Sequence, residues 1–247
     1  MYVSNERVWK STQAVARYQQ QLHRGLTPAE EHCISKTAAN GTTLDIGVGT
    51  GRTTAVIGRK FKTYIGIDYS SEMINQAQRN FPDMDLRVMD ARNLQFPRNS
   101  FDTILFPFNG IDCVDYDGRR KIISEVRRII KPGGLFYYST HNAGYFRVQA
   151  WQRSLLIDGL WKPHRWPCLP NRLQNFWRQI RYPEGYALVN DGALNFSLLL
   201  LYVSIDRELI WLQEQDFQIE LVIGSEKTMP GYDESDCWVH ILARRNC

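Results

Sequence analysis

With 247 residues, 43% hydrophobic and 23% charged, the chain is long enough to bury a sizeable core and has the composition of an ordinary globular protein. A formal net charge of +4 argues against a general nucleic-acid binder, which concentrates far more positive charge. Five cysteines without C-x-x-C or zinc spacing, no signal-peptide pattern after Met1 and no apolar stretch long enough to span a bilayer point to a cytoplasmic protein with reduced thiols.

Apolar residues at helical spacing predict a helix over Glu6–Leu22. Thr27-Pro28-Ala29-Glu30 has the cap, first-turn proline and early acid of a second helix, running to about Ala39. Thr42–Ile46 reads as the first strand, followed by a glycine-rich turn and a helix over Thr53–Lys60. Strands are predicted at Tyr64–Asp68, Asp85–Met89, Phe101–Phe106 and Leu135–Thr140, with helices over Ser70–Asn80 and Gly118–Ile130 between them. Gly144–Val203 breaks this rhythm and is rich in Trp, Arg and Pro. A helix over Ile205–Gln215 and strands at Phe217–Gly224 and Cys237–Arg244 follow, the last two forming an antiparallel pair at the sheet edge. The alternation implies an α/β fold with a mostly parallel sheet and helices on both faces. We read a single domain: N-terminal helices over 1–39, a core at 40–143 and 204–247, and an insertion over 144–203 acting as a lid on the substrate side.

Ligands in such sheets bind at the carboxyl ends of the strands. Asp45, Asp68 and Asp90 fall at or near such ends, and Asn109 lies just past the fourth strand. The turn Gly47-Val48-Gly49-Thr50-Gly51 suits close backbone approach to a ligand, although glycine loops also serve as plain turns. The dinucleotide fingerprint G-x-G-x-x-G fails here, because its third glycine falls at Arg52.

The G-x-G-x-G turn preceded by Asp45 resembles motif I of the class I S-adenosylmethionine-dependent methyltransferases. Gly66-Ile67-Asp68, Met89-Asp90-Ala91, Phe101-Asp102-Thr103-Ile104, Lys131-Pro132-Gly133-Gly134 and the C-terminal strand pair carry the resemblance through most of the chain outside the insertion. It implies a Rossmann-like class I fold with S-adenosylmethionine as cofactor, held by Asp45, Gly47, Gly49, Gly51, Asp68, Tyr69, Met73, Asp90, Ala91 and Pro107. Asp68 would take the ribose diol, Asp90 with Ala91 the adenine edge, and Tyr69 and Met73 the ring faces.

Methyl transfer needs an aligned nucleophile and, if the acceptor must lose a proton, a base. His141, just after the fifth strand, is the first candidate, against a structural histidine at a strand end. Asn109 is the second, against a turn asparagine beside Gly110. Asp112, Asp115 and Asp117 crowd the loop before a helix, where acids meet the helix dipole, so no metal is assigned. Within the insertion, Tyr145, Trp151 and Trp166 are candidate substrate contacts among interleaved basic residues. These observations converge on methyl transfer to an oxygen or nitrogen nucleophile of a small aromatic or anionic molecule. An RNA- or protein-directed methyltransferase docking through the insertion, and a non-catalytic S-adenosylmethionine-binding protein, remain open alternatives.

Overall fold

The computed structural model describes residues 5–38, 40–148, 168–182, 184–225 and 227–247. The predicted first helix is broken into α1 (Glu6–Trp9) and α2 (Thr12–Gln19). Ser11 ends the one and caps the other, its hydroxyl accepting the Ala14 N–H at 3.2 Å. A capping box opens α3 (Pro28–Ser35), where Glu30 and Thr27 satisfy each other's orphan donors.

The core then alternates β1 (Thr42–Ile46), α4 (Arg52–Ile57), β2 (Thr63–Asp68), α5 (Ser71–Asn80), β3 (Asp85–Val88), β4 (Phe101–Phe106), α6 (Tyr116–Ile129) and β5 (Ile130–Asn142). Past β5 come α7 (Ala143–Val148), α8 (Leu169–Phe176), β6 (Ile180–Arg181), β7 (Ala187–Val189), β8 (Leu200–Val203), α9 (Ile205–Glu214), β9 (Phe217–Gly224) and β10 (Trp238–Arg245). Strands β3, β2, β1, β4 and β5 lie side by side and parallel, and β10 joins β5 and β9 antiparallel. The C-terminal pair thus closes the edge as its sequence predicts.

One part of the predicted insertion is sheet. Strands β6, β7 and β8 form an antiparallel extension of the main sheet, and β8 pairs in parallel with the last two residues of β5, His141 and Asn142. β4 ends at Phe106 opposite Tyr138, so the edge of β5 beyond that point is open for β8. His141 therefore stands where the sheet forks, with Trp238 of β10 on one side and Tyr202 of β8 on the other.

Two apolar layers hold the sheet. Ile122, Ile123, Val126 and Ile129 of α6 and Leu212 of α9 bury against one face. Ala29 and Cys33 of α3, Ile57 of α4, and Ile74 and Ala77 of α5 cover the other. The 3.6-residue spacing of the α6 isoleucines makes this packing possible, and each full burial contributes roughly 1.5–3 kcal/mol.

His240 of β10 is buried, stacked on Tyr137 at 6.0 Å between ring centroids, with Nδ1 sharing a 2.8 Å hydrogen bond with the tyrosine hydroxyl. Burial lowers its pKa from 6.5 to about 4, so the folded protein holds the ring neutral where the unfolded chain is protonated. The associated stability is present above pH 6.5 and is lost as pH falls toward 4, amounting to about 3 kcal/mol. His240→Gln should flatten the pH dependence of urea unfolding across that window. An unchanged slope would mean that another group carries it.

Candidate active site

The glycine turn between β1 and α4 bends back onto the end of β2. Gly47 and Val48 donate their N–H groups to the Ile67 carbonyl, and the Gly49 N–H donates to Asp68 Oδ2 at 3.0 Å. The Ser70 N–H meets Asp68 Oδ1 at 2.9 Å. Burial raises the pKa of Asp68 to about 6, opposed by those backbone donors.

An inner cavity opens over this turn. Of the residues assigned to cofactor binding from sequence, Gly47, Gly49, Asp68, Tyr69, Met73, Asp90, Ala91 and Pro107 line it. Asp90 sits at its rim with its carboxylate clamped by the Arg92 guanidinium.

Asp45 and Gly51 lie behind the cavity instead. Asp45 is buried and takes hydrogen bonds from Thr53 at 2.5 Å and Tyr64 at 2.6 Å, tying β1 to α4 and β2, and burial raises its pKa to about 6. Gly51 has φ +101° and packs so closely on Phe81 that a Cβ would meet the ring at 2.5 Å. Both shape the turn rather than border its open side.

The N-terminal helices, which the sequence reading gave no role, wall the same cavity through Asn5, Trp9 and Tyr18. Asn5 is buried and stitches this segment down: its amide donates to the carbonyls of Cys113 and Leu199 and accepts the Leu199 N–H. Arg52 forms a bidentate pair with Glu30 of α3, with contacts of 2.6 and 2.9 Å, and reaches the Gly25 carbonyl. Its guanidinium also lies 4.6 Å from the centre of the Phe108 ring. The residue that breaks the dinucleotide fingerprint thus anchors the N-terminal segment to the turn.

After β4, Phe108 and Asn109 both take the left-handed conformation, with φ +57° and +56°. For phenylalanine this costs on the order of 1–3 kcal/mol, and such strain concentrates at functional sites. The turn asparagine expected from sequence is therefore present, yet its carboxamide is also buried with neither Oδ1 nor Nδ2 hydrogen-bonded. Phe108, Trp9, Tyr18 and Cys113 border both the inner cavity and a larger outer one.

The outer cavity brings together His141, Asn109, Tyr145, Asp191, Tyr202 and Trp238. The His141 ring packs 4.7 Å from Tyr202 and edge-on to Trp238 at 5.9 Å. Its Nδ1 lies 2.7 Å from Asp112 Oδ2, and its own N–H donates to that same oxygen. Asp112 Oδ1 accepts from Thr140 at 2.7 Å and Arg119 at 2.6 Å. An ionised carboxylate has no hydrogen to offer, so Nδ1 carries a proton, and in the neutral ring Nε2 is then the acceptor.

Behind Asp112 the chain continues into the core. Arg119 also donates to Glu208 Oε1, at 2.6 Å from Nη2, and Glu208 accepts the hydroxyls of Tyr138 and Tyr186. Arg119, Asp112 and Glu208 are all buried. Asp115, by contrast, serves as the N-cap of α6, its Oδ1 accepting the Gly118 N–H. By sequence Asp112 is one of three acids crowding the loop before α6, to which no metal is assigned. Nothing in its local spacing reveals a histidine of another strand as its partner. Trp151 and Trp166 lie outside the described residues.

Comparison with known proteins gives this geometry relatives. Residues 43–134 match the family model of a methyltransferase domain. Phosphatidylethanolamine N-methyltransferase of Cereibacter sphaeroides is 32% identical over 123 residues, 47% of this chain and 59% of that protein. Fatty-acid O-methyltransferase of Mycolicibacterium smegmatis is 32% identical over 116 residues, 45% of this chain and 41% of that protein. The match thus spans about half the length of these relatives. A solved S-adenosylmethionine-dependent methyltransferase from Clostridium acetobutylicum shares the fold at a TM-score of 0.62 and 16% identity, covering 95% of this chain and 99% of its own. One from Thermotoga maritima, described as a possible histamine N-methyltransferase, does so at 0.62 and 18%, covering 97% and 99%. With the glycine turn, the strand-end acids and the reversed C-terminal strand in place, residues 43–134 form a methyltransferase domain, and the chain shares the fold of solved S-adenosylmethionine-dependent methyltransferases.

Proposed function

We propose that this chain transfers a methyl group from S-adenosylmethionine to an oxygen or nitrogen nucleophile of a small molecule. The observation that carries the reading is the pair of cavities sharing the wall Trp9, Tyr18, Phe108 and Cys113, one over the glycine turn and the other in front of His141. The inner cavity fits the cofactor chemically. Gly47 and Gly49 line it with φ of +72° and +56°, conformations that favour glycine, so bare backbone borders the space where a ligand would approach the turn. Asp68 spends one backbone hydrogen bond on each oxygen and keeps acceptor capacity for a ribose diol.

When bound, S-adenosylmethionine supplies a methyl group on a positively charged sulfur. In the outer cavity, His141 Nε2 takes the proton that the acceptor must lose, while Asp112 holds the ring in the required tautomer. That methyl would pass to the acceptor's lone pair, the carbon–sulfur electron pair remaining with sulfur. Trp9, Tyr18 and Phe108 border both cavities and give them a shared aromatic edge, along which donor and acceptor would approach each other. The relatives named for lipid acceptors lend support to a small-molecule acceptor.

Calorimetric titration tests the cofactor assignment. S-adenosylmethionine should bind in the micromolar range and NADH should not. Asp68→Ala should weaken binding by about 1.5–3 kcal/mol through loss of charged hydrogen bonds. Because burial raises the Asp68 pKa to about 6, affinity should also fall as pH drops through that value and the carboxylate is protonated. Folded protein that ignores S-adenosylmethionine would sink the assignment.

A further inference from the structure

The outer cavity offers more hydrogen-bond acceptors than a hydroxyl nucleophile needs. Asn109, a residue only 4% exposed, borders it, and both its Oδ1 acceptor and its Nδ2 donor lack a hydrogen-bond partner, an arrangement that is costly unless a ligand satisfies it. Asp191 presents a carboxylate oxygen 4.0 Å from His141 Nε2. The Tyr202 hydroxyl at 3.0 Å and the Ala193 N–H at 2.8 Å each bond one of its oxygens, fixing the group while leaving lone pairs free. His141 Nε2 is the third acceptor, its other nitrogen being committed to Asp112. Tyr18, Phe108, Tyr202 and Trp238 supply aromatic surface around them, and aromatic faces attract cations.

Resting on the methyl-transfer reading above, we infer that the acceptor is a primary amine, bound as its ammonium ion by Asn109, Asp191 and His141. A primary ammonium carries three N–H donors and one positive charge, matching three acceptors of which one is anionic. An alcohol carries one donor and no charge, so it can meet only one of these acceptors and leaves the Asp191 charge without a counter-ion. The proton balance follows: the ammonium gives one proton to His141 Nε2 and becomes the nucleophilic amine. Bond formation to the methyl carbon then returns the nitrogen to a positively charged, secondary ammonium, and the imidazolium releases its proton to solvent. Arg17 and Arg24 are exposed at the edge of the same cavity. Two cations there select against a polyamine and favour a monoamine whose far end is neutral or anionic.

Binding provides the test, so the result does not depend on turnover. The protein, with and without S-adenosylhomocysteine, is titrated with matched pairs differing only in the terminal group: 2-phenylethylamine and 2-phenylethanol, n-octylamine and 1-octanol, 4-aminobutyrate and 4-hydroxybutyrate. At least one amine should bind about tenfold or more tighter than its alcohol. Asp191→Asn should abolish most of that preference. So should Asn109→Gly, which removes the amide while tolerating φ +56° and breaks no side-chain hydrogen bond. Alcohols binding as well as amines, no amine binding anywhere in the panel, or a preference that survives both substitutions would each overturn the amine assignment. S-adenosylmethionine titrated into the same samples reports separately. Its failure to bind would overturn the methyl-transfer reading whatever the amines do.

Discussion

His141→Ala is expected to lower methyl transfer by about 10²- to 10⁴-fold, the usual contribution of a positioned general base. The ring borders the outer cavity and not the inner one, so S-adenosylmethionine affinity should stay close to wild type. That split separates a chemical role from a collapse of the fold. A second readout sharpens it, because the vacated space between Tyr202 and Trp238 should admit free imidazole and restore part of the rate. Turnover unchanged by the substitution would reduce His141 to a packing residue at the fork of the sheet. A lost rate that imidazole cannot restore, accompanied by weaker cofactor binding, would point the same way.

Arg119→Met should destabilise the protein by about 3–5 kcal/mol, because it leaves buried carboxylates without their cation. Arg119 bridges Asp112 and Glu208, and neither carboxylate has solvent exposure to fall back on. Burial alone would lower the pKa of Arg119, but Glu208 and Asp112 outweigh it and hold the guanidinium charged. Urea unfolding measures the loss, and adding Glu208→Gln should recover part of it by removing one of the stranded charges. A loss below about 1 kcal/mol would mean that water reaches the cluster and screens it. The cluster also joins core to site, since the same Asp112 that pairs with Arg119 orients His141.

Much of the core was legible because it rests on local rules. The apolar runs of β1, β4 and β9 match their predicted bounds, and the α6 isoleucines announce a helix with one buried face. The strand-end positions of Asp68 and Asp90 and the glycine turn bring eight of the ten assigned cofactor residues to one cavity: Gly47, Gly49, Asp68, Tyr69, Met73, Asp90, Ala91 and Pro107. Asp45 resembles them in sequence but faces the opposite way, toward Thr53 and Tyr64. Side chains alternate across a strand, and a motif reports spacing without reporting which face the last residue takes.

The amino-acid order by itself determined the alternation of strands and helices, the turn that approaches a cofactor, and the failure of the dinucleotide pattern at Arg52. Each follows from periodicity, glycine conformation or residue spacing over a few positions. Only the tertiary structure decided that α1 and α2 wall the inner cavity, that β8 completes the open edge of β5, and that Asp112, Asp191 and Asn109 surround or support His141. Asn5 meets Leu199 across 194 positions, and Arg119 meets Glu208 across 89. Contacts that distant leave no local pattern, because burial and charge pairing select them only after the sheet has brought the segments together.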